Sequence, residues 1–186
     1  MTTNANAALP PMKPSEESTA EQLELARRQG AAYAEALEAM NRESGAQRQR
    51  AGDVEIAVVV ENAEGMWMRH GDELRWENPR DENAHVEVAV RDAVDGRFIP
   101  GLSVSVTLTA PDGREVGTYT QPFLWHPWLY HYGQNWIVPG EGEYRVRVKI
   151  APPDFMRHDY ENGNRYAAPI EAEFTVPIKP GQKLAP

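Results

Sequence analysis

The hydrophobic pattern of this chain changes from helical to alternating near residue 50. Ser18 followed by Glu21 predicts a capping box, and so the start of a helix that runs over residues 18–43. Within it, apolar positions recur at three- and four-residue steps and form one stripe, which comprises Leu23, Ala26, Gly30, Tyr33, Leu37 and Met40. Such a helix either packs on its own domain or pairs with a second copy of the chain. Gly30 is expected to weaken it.

From residue 53 the pattern alternates between apolar and polar residues. Segments rich in Val, Ile and Thr are separated by Asp-Gly, Pro-Gly and Asn-Gly turn signals, which is typical of short β-strands. The predicted strands cover 54–61, 83–92, 102–109, 143–150 and 170–176. In the fourth of them, the residues expected to face inward are Tyr144, Val146, Val148 and Ile150. The pattern predicts an all-β fold, an immunoglobulin-like β-sandwich with an added N-terminal helix.

These patterns divide the chain into a core domain and flanking segments. Residues 1–17 are small, polar and Pro-containing, and we expect a disordered tail. The helix of 18–43 is followed by a polar linker at 44–52. The sandwich then spans 53–178, and residues 179–186 form a polar C-terminal tail that we expect to be loose.

Composition narrows the classes of partner. The net charge of −9 argues against a nucleic-acid partner but not against cations. Because cysteine is absent, any metal must be held by nitrogen, oxygen or thioether sulfur. No run of about 18 apolar residues is present, so no membrane span is expected. The first fifty residues lack a secretory signal pattern, which favours a cytoplasmic chain or one already trimmed.

The segment Gln121–Trp136 concentrates the aromatic residues, with three of the five tryptophans and two of the five histidines. One interpretation is a Trp-rich corner of the sandwich whose histidines only form hydrogen bonds. A second is an aromatic platform of a carbohydrate- or peptide-binding module, formed by Trp125, Trp128, Tyr130, Tyr132 and Trp136. A third is metal binding, because histidine is a frequent metal ligand.

Two segments supply the main candidate ligands. If Val86, Val88 and Val90 face the core, His85 and Glu87 share the opposite face of the strand, about 6.5–7 Å apart. Such a pair is a solvated polar face unless other ligands converge on it. His131 is the second candidate. We expect Gly133 to allow a tight turn there and Asn135 to hold that turn.

Other candidates are weaker. His126 precedes Pro127 and either points to the same site or packs among the tryptophans. His158 lies in a loop between two predicted strands. Met66 and Met68 flank Trp67 on one face, where they either fill a core gap or offer soft ligands for Cu(I). His70 follows in a charged segment, where we expect it to be exposed.

Over about residues 54–177 the chain resembles the bacterial periplasmic iron-transport accessory proteins. The resemblance is carried by His85-Val86-Glu87, by His131-Tyr132-Gly133 with Asn135, and by Arg157-His158-Asp159. It implies a dimeric immunoglobulin-like domain that binds a copper or iron ion, zinc being a further candidate, beside a ferrous-iron permease. It also implies His85, Glu87, His131 and His158 as ligands.

The chain departs from that family at one ligand. A methionine is expected seven residues before His131, where this chain has Leu124. Losing the thioether favours Cu(II), Zn(II) or Fe(II) over Cu(I). Met66, Met68 and His126 are candidates for additional ligands. Because imidazoles bind metal in the neutral form, affinity is expected to fall below about pH 6.5.

The sequence therefore predicts a metal-binding protein that takes part in iron or copper handling. Enzyme motifs are missing, since there is no HExxH, no Gly-rich phosphate loop and no nucleophile–base arrangement. We accordingly expect no catalytic activity. The aromatic-platform module remains the alternative.

Overall fold

The computed structural model describes residues 10–185, except the side chain of Glu43, and contains one helix with two main antiparallel sheets. The five-stranded sheet has the order β1-β2-β6-β10-β9, and the four-stranded sheet has the order β12-β11-β7-β8. A β4–β5 hairpin and a parallel β3–β13 pair complete the structure. The elements are α1 (Ala20–Ser44), β1 (Gln47–Ala51), β2 (Val54–Glu61), β3 (Ala63–Glu64), β4 (Met66–His70), β5 (Glu73–Glu77), β6 (Ala84–Asp92), β7 (Val104–Thr109), β8 (Glu115–Gln121), β9 (Phe123–Trp125), β10 (Tyr130–Trp136), β11 (Gly142–Ile150), β12 (Ile170–Ile178) and β13 (Gln182–Lys183).

The main core lies between the two sheets. Val86 and Val88 of β6 and Val146 and Val148 of β11 are fully buried in it, as the alternation of their strands predicts. Burial of each such side chain contributes about 1.5–3 kcal/mol. The predicted β-sandwich with an added helix is confirmed. Within the described residues no helix is both long and apolar enough to span a bilayer.

The helix packs on the outer face of the five-stranded sheet. Leu37 and Met40 of α1 meet Ala57, Val59 and Ala89 in a second apolar cluster. Of the two alternatives for the helix, packing on its own domain is therefore the one observed. Ala89 shares its face of β6 with Glu87 and His85, because side chains of a strand alternate. The face covered by the helix is thus also the face that carries the candidate ligands.

The N-cap of the helix is one residue later than predicted, at Thr19 instead of Ser18, and the helix spans Ala20–Ser44 instead of residues 18–43. Its capping box is formed by Thr19 and Gln22, whose side chains each accept a hydrogen bond from the other's backbone N–H. The prediction of Ser18 with Glu21 was wrong because the Ser18 hydroxyl instead bonds to Asp159 in a distant loop. Gly45, with φ of +69°, ends the helix in the left-handed region.

The predicted linker at 44–52 contains an edge strand. Residues Gln47–Ala51 pair with β2 from Gln47 opposite Val58 to Ala51 opposite Val54. The strand was missed because QRQRA has no apolar alternation. An edge strand is held by backbone bonds to one neighbour, and charged side chains suit its position.

Both predicted tails make contacts. In the C-terminal tail, Gln182 and Lys183 pair with β3, so this segment is not loose. In the N-terminal tail, the backbone N–H of Lys13 donates to Oδ1 of Asn162, and Nδ2 of Asn162 donates to the Lys13 carbonyl. The Ser15 hydroxyl donates to the Asp159 carboxylate. Residues 1–9 of the predicted tail lie outside the described residues.

We expect Gly30→Ala to destabilise the protein although alanine is the better helix former. A Cβ on Gly30 would lie 1.7 Å from the Asp95 carbonyl oxygen, a backbone atom that no rotamer change can move. The resulting overpacking, of about 1–3 kcal/mol or more, outweighs a propensity gain of about 1 kcal/mol. Denaturant unfolding monitored by circular dichroism measures the difference. Gly140→Ala, where no atom lies within 4 Å, is the control; a more stable Gly30→Ala variant would contradict the packing.

Candidate metal centre

Three potential metal ligands from two strands converge on the outer face of the five-stranded sheet. His85 and Glu87 extend from β6, and His131 extends from the neighbouring β10. The Nε2 atoms of both histidines lie 3.7 Å from Oε1 of Glu87. One ligand atom from each residue lies within 4.8 Å of the other two. These separations are too long for hydrogen bonds, but they are of the size expected between atoms that can share one ion.

Gly133 makes room for this cluster. It lies in the middle of β10, directly opposite Glu87, and not in the tight turn that the sequence predicts. A Cβ there would lie 2.8 Å from the Val86 carbonyl oxygen and 3.2 Å from Nε2 of His85. The glycine is therefore required by space and not by backbone conformation. Any side chain would displace the His85 ring.

Asn135 orients His85. Its Nδ2 donates to the Glu64 carbonyl, which assigns its Oδ1 as the acceptor of the Glu64 N–H and of Nδ1–H of His85 at 2.9 Å. The His85 proton therefore sits on Nδ1, and the lone pair of Nε2 is directed at the cluster. Support of this kind fixes the tautomer and orientation of metal-binding histidines.

The cluster is buried without being satisfied. His85, Glu87 and His131 are 0%, 8% and 5% exposed. Nε2 of His85 and both ring nitrogens of His131 have no hydrogen-bond partner. Each unpartnered buried polar group costs about 1–3 kcal/mol. A plain structural site would pair or replace these groups, whereas a bound cation would engage them together.

Burial and neighbouring carboxylates raise the pKa of Glu87 to about 8. Burial is the largest cause, followed by the negative charges of Glu61 and Glu64, while Lys183 of β13 opposes the shift. Without a metal, Glu87 is thus neutral at pH 7. A divalent ion would favour its carboxylate form and displace the proton.

The two imidazoles shift in the opposite sense. Burial lowers the pKa of His131 to about 3, with smaller contributions from His85 and His126. Burial also lowers the pKa of His85, although Glu64 and the Asn135 hydrogen bond partly oppose the change. Both rings therefore stay in the neutral form, which binds metal, below the pH of about 6.5 expected from the sequence.

His158 lies outside this cluster. It is in the loop between β11 and β12, its side chain is 91% exposed, and its Nδ1 lies 3.1 Å from Oε2 of Glu17. The structure of one chain therefore brings together three of the four residues that the resemblance implies. The sequence motif could not predict the position of His158, because a loop residue is not fixed by pairing with a neighbouring strand.

The additional candidate ligands, His126, Met66 and Met68, are not part of the three-residue group. His126 packs edge-on against Trp128, with the ring centroids 5.1 Å apart. Met66 and Met68 line a groove of about 700 Å³, which Leu124, Gly133 and Asn135 also line. This groove reaches the backbone beside His85, because Gly133 adjoins the His85 ring.

Leu124 occupies the position where the resemblance implies a methionine. It lies opposite His131 in the β9–β10 ladder. Its Cδ1 is 3.3 Å from the position that a Cβ on Gly133 would occupy. The side chain that adjoins the cluster at this point is therefore aliphatic and offers no ligand.

The aromatic platform considered from the sequence does not form as one surface. Trp125, Trp128 and Tyr130 are exposed, whereas Tyr132 and Trp136 are buried between the sheets. Residues 130, 132 and 136 share one face of β10 by alternation, but Tyr130 is at the end of the strand and lies outside the core that contains the other two.

Glu61 and Glu64, which help to raise the pKa of Glu87, were not identified from the sequence. Glu61 lies opposite His85 in the β2–β6 ladder, and Glu64 is in β3, where β13 pairs with it. A carboxylate that ends an apolar strand is the only signal for Glu61. Glu64 carries none, since its place depends on the short β3–β13 pairing.

Comparisons with known proteins agree with this architecture. A family model described as Fe2+ transport protein matches residues 42–179. FetP from uropathogenic Escherichia coli strain F11 is 22% identical with a TM-score of 0.59, over 72% of this chain and 93% of FetP. Copper-reconstituted P19 from Campylobacter jejuni is 21% identical with a TM-score of 0.62, over 74% of this chain and 96% of P19. At these identities the solved structures show a shared fold. No curated protein matches the sequence.

We expect the ring of His131 to stay neutral from pH 8 to pH 5 in metal-free protein, because burial lowers its pKa to about 3, and we expect burial to lower the pKa of His85 as well. Nitrogen-detected NMR should show His85 as the Nδ1–H tautomer. In Asn135→Leu, which cannot accept the Nδ1 proton, this preference should be lost. Protonation of the His131 ring within that pH range, or a raised pKa of His85, would contradict the buried geometry.

Proposed function

Since this chain belongs to the family of Fe2+ transport proteins, we propose that it binds a metal ion through His85, Glu87 and His131 and delivers it during iron or copper handling. The observation that supports this most directly is the set of buried ring nitrogens that face one carboxyl group and have no other partner. Binding would use the Nε2 atom of each imidazole and the Glu87 carboxylate.

The donor set favours borderline divalent ions. Two imidazoles and a carboxylate suit Cu(II), Fe(II) and Zn(II), and Leu124 provides no thioether to favour Cu(I). Copper is the ion in the solved P19 and in a copper-bound variant of FetP. The acidic surroundings, to which Glu61 and Glu64 contribute, would attract any of these cations.

The fourth ligand in this proposal is His158 from a second copy of the chain. Its ring is exposed and is separate from the cluster of its own chain. Three protein ligands leave a coordination position open, which a residue of a partner copy can fill. The active species would then be a homodimer, with its site completed by assembly.

Delivery rather than catalysis is the proposed role. An exported protein beside a ferrous-iron permease would bind the ion reversibly and release it. The coupling of binding to the Glu87 proton suits this role, because a fall in pH would weaken binding and favour release.

Metal titration of the metal-stripped full chain tests the proposed ligands. We expect His85→Ala, His131→Ala to lower the affinity for Cu(II) and Fe(II) more than about 100-fold, since even loss of a supporting partner costs about 10–100-fold. His126→Ala removes the additional candidate imidazole, which is outside the three-residue group, and should lower the affinity far less than the double variant. His158→Ala should weaken binding only under conditions where the protein is dimeric. Equal binding by the double variant and the unmodified protein would refute the proposal.

The pH dependence of binding provides a second test. Because the pKa of Glu87 is raised to about 8, the affinity for a divalent ion should rise with pH up to about 8 and then level off. Calorimetry in buffers of different ionisation enthalpy should detect about one proton released per ion at pH 7. Glu87→Gln should bind more weakly and release no proton. A transition near pH 6.5 would instead assign the dependence to the imidazoles.

A further inference from the structure

The β4–β5 hairpin carries a second set of potential metal ligands. Met66, Met68 and His70 occupy alternate positions of β4, so they face the same side of the hairpin. Two thioethers and an imidazole form a soft donor set. Nothing in the buried centre requires this set.

The His70 ring leans toward the methionines. In the ladder, His70 lies opposite Glu73, whereas Met66 lies opposite Glu77. Nε2 of His70 nevertheless contacts Oε1 of Glu77. The two side chains must therefore extend toward each other along the hairpin and meet near the row of Met68, between His70 and Met66.

These side chains do not serve the hydrophobic core. Met68 is 47% exposed, and neither methionine belongs to the two apolar clusters of the described residues. Filling of a core gap, one alternative considered from the sequence, is thus not their role. Exposed thioethers stay available to a metal from solution.

The local charge favours a cation. Arg75 lies opposite Met68, but it is engaged by Glu73, with Nη2 2.8 Å from Oε2. Glu77 adds a second carboxylate beside His70. Two negative charges therefore oppose one positive charge on this face of the hairpin.

The hairpin also borders the route to the buried centre. Met66, Met68 and Glu77 line the 700 Å³ groove together with Leu124 and Gly133. Gly133 in turn adjoins Nε2 of His85. An ion bound at the hairpin would thus lie at the margin of a groove that reaches the cluster.

We propose that Met66, Met68 and His70 form a second metal site, selective for Cu(I), on the exposed hairpin. Soft thioethers prefer Cu(I) to Fe(II) or Zn(II), whereas the imidazole–carboxylate set of the buried centre has the opposite preference. Binding would replace the contact between His70 and Glu77. This proposal does not depend on the buried centre; a transfer of ions from the hairpin to that centre would rest on the function proposed above.

The test is an anaerobic titration of the full chain with Cu(I) against a chromophoric Cu(I) chelator. The starting variant is His85→Ala, His131→Ala, which lacks the buried ligands and should bind one Cu(I) per chain. Adding Met66→Leu and Met68→Leu, which conserve volume, should lower Cu(I) affinity more than about 100-fold. Loss of a residue that only supports a ligand already lowers metal affinity about 10–100-fold, and loss of the ligand itself should lower it at least as much. Met156→Leu, which removes a 97% exposed thioether elsewhere, is the matched control and should leave the affinity unchanged.

The reciprocal variant separates the two sites. In otherwise unmodified protein, Met66→Leu with Met68→Leu should leave Cu(II) and Fe(II) binding unchanged, and copper X-ray absorption should lose its sulfur signal. Cu(I) affinity that is insensitive to these methionines, or abolished by the loss of His85 and His131 alone, would overturn the hairpin site. Failure of the buried centre would show differently, as divalent binding that is insensitive to His85 and His131.

Discussion

The structure contains one costly arrangement, in which two imidazoles are buried beside a carboxyl group and three of their four ring nitrogens have no hydrogen-bond partner. Nε2 of His85 and Nε2 of His131 each lie 3.7 Å from Glu87 and bond to no other group. Such groups are destabilising unless something engages them. Gly133 leaves the space, and Asn135 sets the tautomer. Residues outside the proposed ligand set thus hold the geometry that the proposed ion would require.

Burial also sets the charge of the site before an ion arrives. The same loss of solvent keeps the imidazoles neutral and keeps a proton on Glu87. Metal binding then exchanges one proton for one ion, so the pH controls affinity through the carboxyl group. The thioethers proposed as hairpin ligands carry no proton, so at these two ligands the pH has no comparable effect. The two sites would thus differ in metal preference and in the kind of group that competes with the ion for protons.

The sequence pattern predicted those elements in which buried positions recur at a regular spacing along the chain. The alternating valines of β6 place His85 and Glu87 on one face, and the apolar stripe of α1 predicts a packed helix. Gln47–Ala51 and Gln182–Lys183 carry no such pattern, since each is held mainly by backbone bonds to one neighbour. The sequence motif identified Gly133 as structurally required but predicted the wrong cause. A glycine is needed both in a tight turn and in a strand with no room for a side chain, and only the structure shows the second case.

The sequence by itself determined the sandwich, the helix, the exclusion of thiolate chemistry and the identity of the candidate ligands. These follow from periodicity and composition, which are properties of neighbouring residues. Tertiary structure decided that residues 85, 87 and 131 meet, that residue 158 does not join them within one chain, and that residue 135 holds the ring of residue 85. Those outcomes depend on the register between β6 and β10 and on the space between side chains. Neither is encoded by the spacing of residues along one strand.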